Sequence, residues 1–536
     1  MRRDRPLDIH DFVSPDRRTL IKALGAALGS SVVLGDAVLS TALAQPAFKD
    51  DPFTLGVASG DPSPDGFVIW TRLAPKPLDV GGGMPAAGVA VKWSIATDAA
   101  MTRLVRGGTS IATPQRAHAV HVEVGGLAPG REYFYRFEVS GLRSPVGRTK
   151  TLPAAGATTP IRFAAAGCQR YEDGYFTAWR RIAEDNIDFV VHYGDYIYEL
   201  KGISLEDQRP VRVVRAMPGL PPKCIKLDDY RNRYAIYKLD PDLQAAHASA
   251  PFLPSFDDHE VENNWADTHS EVKGTTREEM LLRRTAAFQA WFEHMPLRAA
   301  QLPRGPNIQA FRRFEVGGLV QVNMLDTRQY RTPQPCGDGW KSCPETKDAQ
   351  RTMIGKTQEA WLAQGFARRR TPWTLLAQQV PMGRFDRNPD PAVAEMHMDK
   401  WDGAEAARTR VFDMAQAAGV RDLVVLAGDV HQNRVNELKR DFLEPTSATV
   451  GVEFVATSIA SNGDGIDHPK NADDIRSANP HLKYFNTQRG YVRHTVSADK
   501  WHADYLTLDK ISEKDAPAVA RAKFVVEKGK PGVSKA

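Results

Sequence analysis

The most constraining feature of the chain is an apolar run, Ile187 to Val191, that stops abruptly at His192-Tyr193-Gly194-Asp195-Tyr196-Ile197-Tyr198. A short, β-branched and aromatic run of this kind reads as a buried strand meeting a loop. It is preceded by a strand pattern at Ile161 to Ala166, ending at Gly167-Cys168-Gln169, and by an amphipathic helical pattern from Gly174 to Glu184. Strand, helix, strand is a βαβ unit, so the sheet is at least partly parallel and the hand of the crossover is fixed. In such sheets ligands gather beyond the carboxyl ends of the strands. Asp195 and Tyr198 stand there, three residues apart, close enough for both oxygens to reach one cation.

The same pattern recurs downstream. Ala250 to Phe256 leads into Asp257-Asp258-His259-Glu260. Gly318 to Leu325 ends at Asp326-Thr327-Arg328. Trp373 to Val380 carries Gln378-Gln379, Asp422 to Ala427 ends in Gly428-Asp429-Val430-His431, and Val452 to Ser458 is one more strand. Taken singly, each polar residue has an ordinary structural reading: Cys168 as a small core residue, Asp257-Asp258 as a cap. Gathered at one edge of one sheet, they describe a dinuclear metal site. Ligand chemistry sorts them. Thiolate, phenolate and imidazole prefer a transition metal, whereas carboxylate and amide oxygens suit a harder ion. Cys168, Tyr198 and His431 are therefore assigned to iron, Asp258 and Asp429 to a second, harder ion, and Asp195 to a bridge between them. Two cations about 3.5–4 Å apart lower the pKa of a bound water and stabilise a phosphorane-like transition state. His259, beside a ligand, is placed to protonate the leaving alkoxide. Arg170 and Arg328 follow strand ends at the same edge and offer fork geometry to a phosphate.

The rest of the chain divides around this core. A length of 536 residues predicts two or more domains, and 42% hydrophobic with 25% charged residues is ordinary globular composition. A net charge of +5, without basic runs interleaved with aromatics, gives no case for nucleic acid. Residues 1–44 carry Arg17-Arg18-Thr19-Leu20-Ile21-Lys22, an apolar run from Ala23 to Leu34 and the small-x-small site Ala42-Leu43-Ala44. This is the pattern of a twin-arginine leader recognised by the Tat translocon, which implies export to the periplasm or beyond. The apolar run is too short, and too broken by glycines and Asp36, for a stable membrane anchor. Residues 45–152 show short strands, among them Phe67 to Arg72, Val91 to Ile95, Ala119 to Val124 and Tyr133 to Val139. They are expected to form an immunoglobulin-like or fibronectin-like β-sandwich. Pro153 to Pro160 reads as a linker, 161–507 as the catalytic domain, and Lys- and Ala-rich 508–536 as a peripheral helix and frayed end. The charged stretch from Leu200 to Ala248 reads as a helical insertion or lid. Cys336 and Cys343 are spaced to close a disulfide in an oxidising compartment. Cys224 has no obvious mate, and Cys168 is expected not to enter a disulfide.

These segments resemble the PhoD-type alkaline phosphatases (alkaline phosphatase D), relatives of the calcineurin-like and purple acid phosphatases. The resemblance lies in Gly167-Cys168-Gln169, Gly194 to Glu199, Asp257 to Asn264, Leu325 to Arg331, Gln378 to Pro381 and Gly428 to His431. It implies an α/β fold: a calcineurin-like metallophosphatase β-sandwich core flanked by helices, preceded by a small all-β domain. It implies Fe³⁺ and Ca²⁺, with Mn²⁺ or Zn²⁺ as substitutes. Asp195 matches the bridging carboxylate of the purple acid phosphatases, Tyr198 their iron-bound tyrosinate and His259 their proton-donating histidine. Asp258 stands where they have Asn. Asp429 and Cys168 replace a His and an Asp, and the Gln378-Gln379 strand lacks the expected His. These departures agree with a harder second ion. Asn263 is a further candidate ligand or phosphate donor. The expected activity is phosphomonoester or phosphodiester hydrolysis by direct attack of a metal-bound hydroxide, on small phosphate esters, by a monomer. A phospholipase-D-like diesterase and a secreted, non-enzymatic binding protein are the alternatives.

Overall fold

In the computed structural model, residues 43–44, 46–200, 211, 223–390, 392–444 and 446–536 are described. The twin-arginine pattern and the apolar run after it lie outside them. Contacts divide the chain into Met1–Ala44 and Gln45–Ala536, and all that follows concerns the second unit.

Ile161–Ala166 and Phe189–His192 pair in parallel, Phe163 opposite Phe189, with the helix Thr177–Glu184 between them in sequence. Phe252–Pro254 adds in parallel on the far side of Phe189–His192. A second set, Val320–Met324, Trp373–Ala377, Asp422–Ala427 and Thr449–Val455, also pairs in parallel in that order. Trp373–Ala377 and Asp422–Ala427 are buried along their whole length, as parallel strands covered on both faces must be.

The two sets belong to a ten-stranded and a seven-stranded sheet that share one apolar core. Phe163, Ala165, Val191 and Leu253 of the first sheet lie in it with Val322, Leu375, Val424, Leu426 and Phe454 of the second. The alternation of strand side chains decides the rest: Ala164, Ala166 and Val190 turn outward to a helical layer. There Trp179, Tyr234, Phe288 and Trp291 come from Thr177–Glu184, Leu227–Lys238 and Arg277–His294. The other sheet is covered by Gly355–Arg368 and Glu405–Ala417 through Leu362, Phe366, Val411 and Phe412. The result is the expected α/β fold, a β-sandwich core flanked by helices.

Three expectations are revised or refined. Residues 45–152 are all-β, but they are not a sandwich closed on itself. Val57–Ser63 pairs in parallel with Phe252–Pro254 and brings Gly66–Arg72 and Ala119–Val124 into the ten-stranded sheet. Gly88–Ala96, Leu104–Ala112 and Glu132–Val139 form a separate antiparallel sheet. The tail is not helical: Ala518–Glu527 and Lys530–Lys535 extend the ten-stranded sheet beyond Lys500–Leu508. Alternation of Phe524 and Val526 into the core outweighs the helix propensity of the surrounding Ala and Lys. In the stretch from Leu200 to Ala248, residues 201–210 and 212–222 lie outside the described set. The remainder supplies Leu227–Lys238 and Pro241–Ser249, packed into the helical layer.

Cys336 and Cys343 are joined, while Cys168 and Cys224 are free and buried. Among the described residues no helix is long and apolar enough to cross a membrane.

Candidate metal centre

The parallel strands of both sheets deliver their following residues to one place. Cys168 Sγ, an Asp195 oxygen and a His431 nitrogen lie within 4.8 Å of one another. Asp195, Asp258 and His259 form a second such group, and Asp257, Asp258 and Asp429 a third. Tyr198 ties the first together: its hydroxyl is 3.1 Å from Asp195 Oδ2 and 2.9 Å from His431 Nε2. Cys168, Asp195, Asp429 and His431 all have left-handed backbone, at φ 52°, 55°, 67° and 53°. Such conformations cost non-glycine residues about 1–3 kcal/mol each and persist where the surroundings impose them, commonly at functional sites.

Burial and charge set the protonation states. Burial, then the neighbouring Asp195, raises the pKa of both the Cys168 thiol and the Tyr198 phenol well above their ordinary values. Burial and the Asp258 carboxylate raise Asp195 in the same way. Burial also lowers His431, to about 3, with Arg489 adding to the effect, so its imidazole is neutral and free to ligate. Glu260, pushed by burial up to about 7, holds the bend through backbone N–H groups of Asp195, Tyr196 and Asp257 at 3.1, 2.6 and 2.8 Å.

His259 Nδ1 lies 2.7 Å from Glu199 Oε2, and Glu199 Oε1 accepts from the Asn263 N–H at 3.0 Å. Burial disfavours the imidazolium, but Asp258, Glu199 and Asp195 outweigh it and hold the His259 pKa well above its usual value. Burial alone would raise Asp258, yet Arg328 and His259 hold it below the carboxylate range.

Arg328 is wholly buried among carboxylates. Its Nε donates to Asp257 at 2.6 Å, Nη1 to Asp399 at 2.9 and 3.0 Å, and Nη2 to Asp429 at 3.3 Å, with Asp258 at 3.6 Å. A guanidinium so engaged presents no open face to a substrate; it organises the acidic cluster. Lys400, half-buried, pairs with Asp429 and with Asp399, the latter at 3.1 Å. Arg170 lies beside the site, its guanidinium 5.8 Å from the Tyr198 ring centroid. Asn263 points away, its Nδ2 donating to Glu271 at 2.6 Å. Gln379 is committed to Thr327, Ser255 and Leu325, and Gln378 accepts from Trp401, so that strand end is structural.

Glu199, Asp399, Lys400, Ser461, Asn462 and Arg489 carry parts of the site that the motifs did not single out. Glu199 stands next to Tyr198, at the end of the segment Gly194 to Glu199, and shares its strand-end signal. Ser461 and Asn462 follow the strand Thr449–Val455 and share its signal.

The donor set fits cations. Asp195 Oδ1 and Asp257 Oδ2 are buried oxygens with no hydrogen-bond partner, a costly arrangement that a metal ion would relieve. Thiol, phenol, imidazole and carboxylate together suit a transition metal, and Asp195 with Asp258 a harder neighbour.

Two facing sheets whose parallel strands end in Cys, Asp and His clusters define a metallophosphatase of the calcineurin-like class. The PhoD-like phosphatase family model matches residues 163–505, and that of the PhoD-like phosphatase N-terminal domain residues 39–153. Alkaline phosphatase D of Bacillus subtilis (strain 168) is 45% identical over 528 residues, 97% of this chain and 89% of that protein. The solved structure of PhoD matches with a TM-score of 0.88 at 45% identity, covering 91% of this chain and 93% of that one. Purple acid phosphatase PPD1 from yellow lupin seeds shares the fold, with a TM-score of 0.52 at 12% identity over 88% of this chain and 74% of that one. The chain belongs to the PhoD-like phosphatases and is a phosphoric ester hydrolase.

Proposed function

We propose that this is an exported, metal-dependent alkaline phosphatase and phosphodiesterase. Cys168, Asp195, Tyr198 and His431 would hold Fe³⁺, and Asp258 and Asp195 would hold Ca²⁺, with Asp429 shared between that ion and Lys400. The observation that carries the reading is the convergence of Cys168, Asp195 and His431 within 4.8 Å, with Tyr198 bridging two of them. Such a pair of ions supplies a nucleophilic water at working pH and charge stabilisation for the phosphoryl group. The protein's own part is positional and acid–base. Asp195 sits between the two donor groups. Glu199 fixes the tautomer and orientation of His259, whose Nε2 then offers a proton to the departing alcohol oxygen as the P–O bond breaks. Arg170 stands at the rim, where a phosphate oxygen would approach. The route needs no covalent phosphoenzyme. Small phosphate esters are the substrates, the protein acts as a monomer, and the twin-arginine leader delivers it through the Tat translocon.

Metal analysis and a visible spectrum of the exported protein test this. Iron with calcium, and a tyrosinate charge-transfer colour lost in Tyr198→Phe, is the expected result. A colourless protein holding only zinc or manganese would overturn the iron assignment. Rates on a monoester, a bis-ester and a phospholipid separate the phosphatase from a phospholipase-D-like diesterase. A metal-replete protein that hydrolyses none of them would be a binding protein instead.

A further inference from the structure

Arg489 opens the strand Arg489–Val496 and is 4% exposed. Its guanidinium donates only to uncharged oxygens. Nε reaches the Gly463 carbonyl at 2.7 Å and Nη2 the Asn462 carbonyl at 3.4 Å. Nη1 reaches the His431 carbonyl at 2.5 Å, Ser458 Oγ at 3.2 Å and Thr457 Oγ1 at 3.3 Å. No carboxylate accepts from it among the described residues. A buried cation without a carboxylate partner is costly and calls for a reason.

The reason lies in the segment it fastens. Ser461 Oγ is 2.9 Å from the Cys168 carbonyl and 2.8 Å from Tyr198 Oη. It also accepts from the Arg170 N–H at 3.1 Å. Asn462 Oδ1 lies 2.8 Å from His431 Nδ1, which leaves Nε2 directed at Tyr198. Asn462 is itself left-handed, at φ 67°, and its N–H donates to Asp173 at 2.8 Å. Each of the three soft donors is therefore touched by Ser461, Asn462 or Arg489. None of these contacts comes from the element that carries the donor.

We infer that Arg489 is the positioning residue of the soft donor set. Its guanidinium locks residues 457–463 against the peptide of His431, and that segment sets Cys168, Tyr198 and His431 in the place from which they ligate. Arg489 touches no donor atom and no substrate. Partners of this kind orient ligands and tune the metal, and their loss commonly weakens metal binding by about 10–100-fold. The inference rests on the metal reading given above.

The experiment compares the full chain, loaded with iron, with Arg489→Lys, Arg489→Met and Ser461→Ala. The readouts are iron retained against a competing chelator, position of the visible band, melting temperature without metal, and kcat and KM on a phosphate monoester. Ser461→Ala removes one small hydroxyl and guards against a failure of Arg489→Met to fold. Expected are a metal-free melting temperature for Ser461→Ala close to wild type, iron affinity lowered about tenfold or more, and kcat reduced with KM little changed. Arg489→Lys, which keeps the charge but not the fan of hydrogen bonds, should recover part of the affinity lost in Arg489→Met. Variants that melt early yet hold iron with wild-type affinity and an unmoved band would make Arg489 merely structural and overturn the inference. If the wild-type protein retains no iron, the metal reading fails first. If wild type and variants retain it equally, only the role of Arg489 fails.

Discussion

Replacing Arg328 by Met should test the acidic cluster most directly. The guanidinium is fully buried and contacts Asp257, Asp258, Asp399 and Asp429 within 2.6–3.6 Å. Removing one partner of a buried ionic network typically costs about 3–5 kcal/mol, because the charges left behind are unpaired. Unfolding entropy near 2.1 cal/mol/K per residue gives roughly 1 kcal/mol/K for about 500 residues, so the melting temperature should fall by about 3–5 °C if the unit unfolds cooperatively. The carboxylates released by the substitution would bind a hard cation more readily, so added Ca²⁺ should restore more stability to Arg328→Met than it adds to wild type. Calorimetry across a calcium titration measures both quantities. A variant that melts within about 1 °C of wild type, with the same calcium response, would refute the view that Arg328 neutralises this cluster.

Further outcomes follow from other parts of the molecule. His259→Ala should lower kcat by about 10²–10⁴-fold on alkyl phosphates and much less on p-nitrophenyl phosphate, whose leaving group needs no proton; Glu199→Gln should give a smaller loss with the same substrate pattern. Phe524→Ala should cost about 3–5 kcal/mol in urea unfolding, whereas a frayed tail would cost nothing. His494 is buried and its pKa is lowered by burial to about 3, while its ring accepts from Trp501 at 3.0 Å. The folded state thus binds its proton less well than the unfolded state, where the pKa is about 6.5. Its contribution is complete above pH 6.5 and is lost as pH falls toward 3, roughly 2–3 kcal/mol by pH 4.5 at about 1.4 kcal/mol per unit. His494→Asn should flatten the fall in urea midpoint between pH 6.5 and 4.5, and an unchanged slope would exclude His494 as a source.

Much of the site was legible because its chemistry is local. A residue that follows a buried parallel strand has its position fixed by the strand, so Cys168, Asp195, Asp258 and Asp429 could be placed at one edge before any tertiary contact was known. What escaped was non-local. Asp399 and Lys400 arrive on an irregular segment after Met396–His397, with no periodicity to announce them. Arg489 acts from the first residue of a strand, where an arginine ordinarily reads as a surface cation. Arg328 follows a strand end as a phosphate-binding arginine would, but spacing cannot tell which side of the acidic cluster a guanidinium enters. The same limit governed the fold. Each strand of residues 45–152 was visible by its alternation, but the pairing of Val57–Ser63 with Phe252–Pro254 joins segments far apart in sequence. In the tail, composition pointed to helix while two buried positions with period two decided for strand.

The strand order also bears on when the protein can become active during its synthesis. Ile161–Ala166, at the heart of the ten-stranded sheet, has Phe189–His192 on one side and Arg489–Val496 on the other. Cys168 and Asp195 therefore leave the ribosome long before His431 and Arg489, which follow about 240–320 residues later. At about 5–20 residues per second that is on the order of 12–60 s of translation. Until then the donors on the nascent chain have neither their partners nor a closed core. The full donor set and the strand that completes its sheet therefore come together only once the chain has been made through Arg489–Val496.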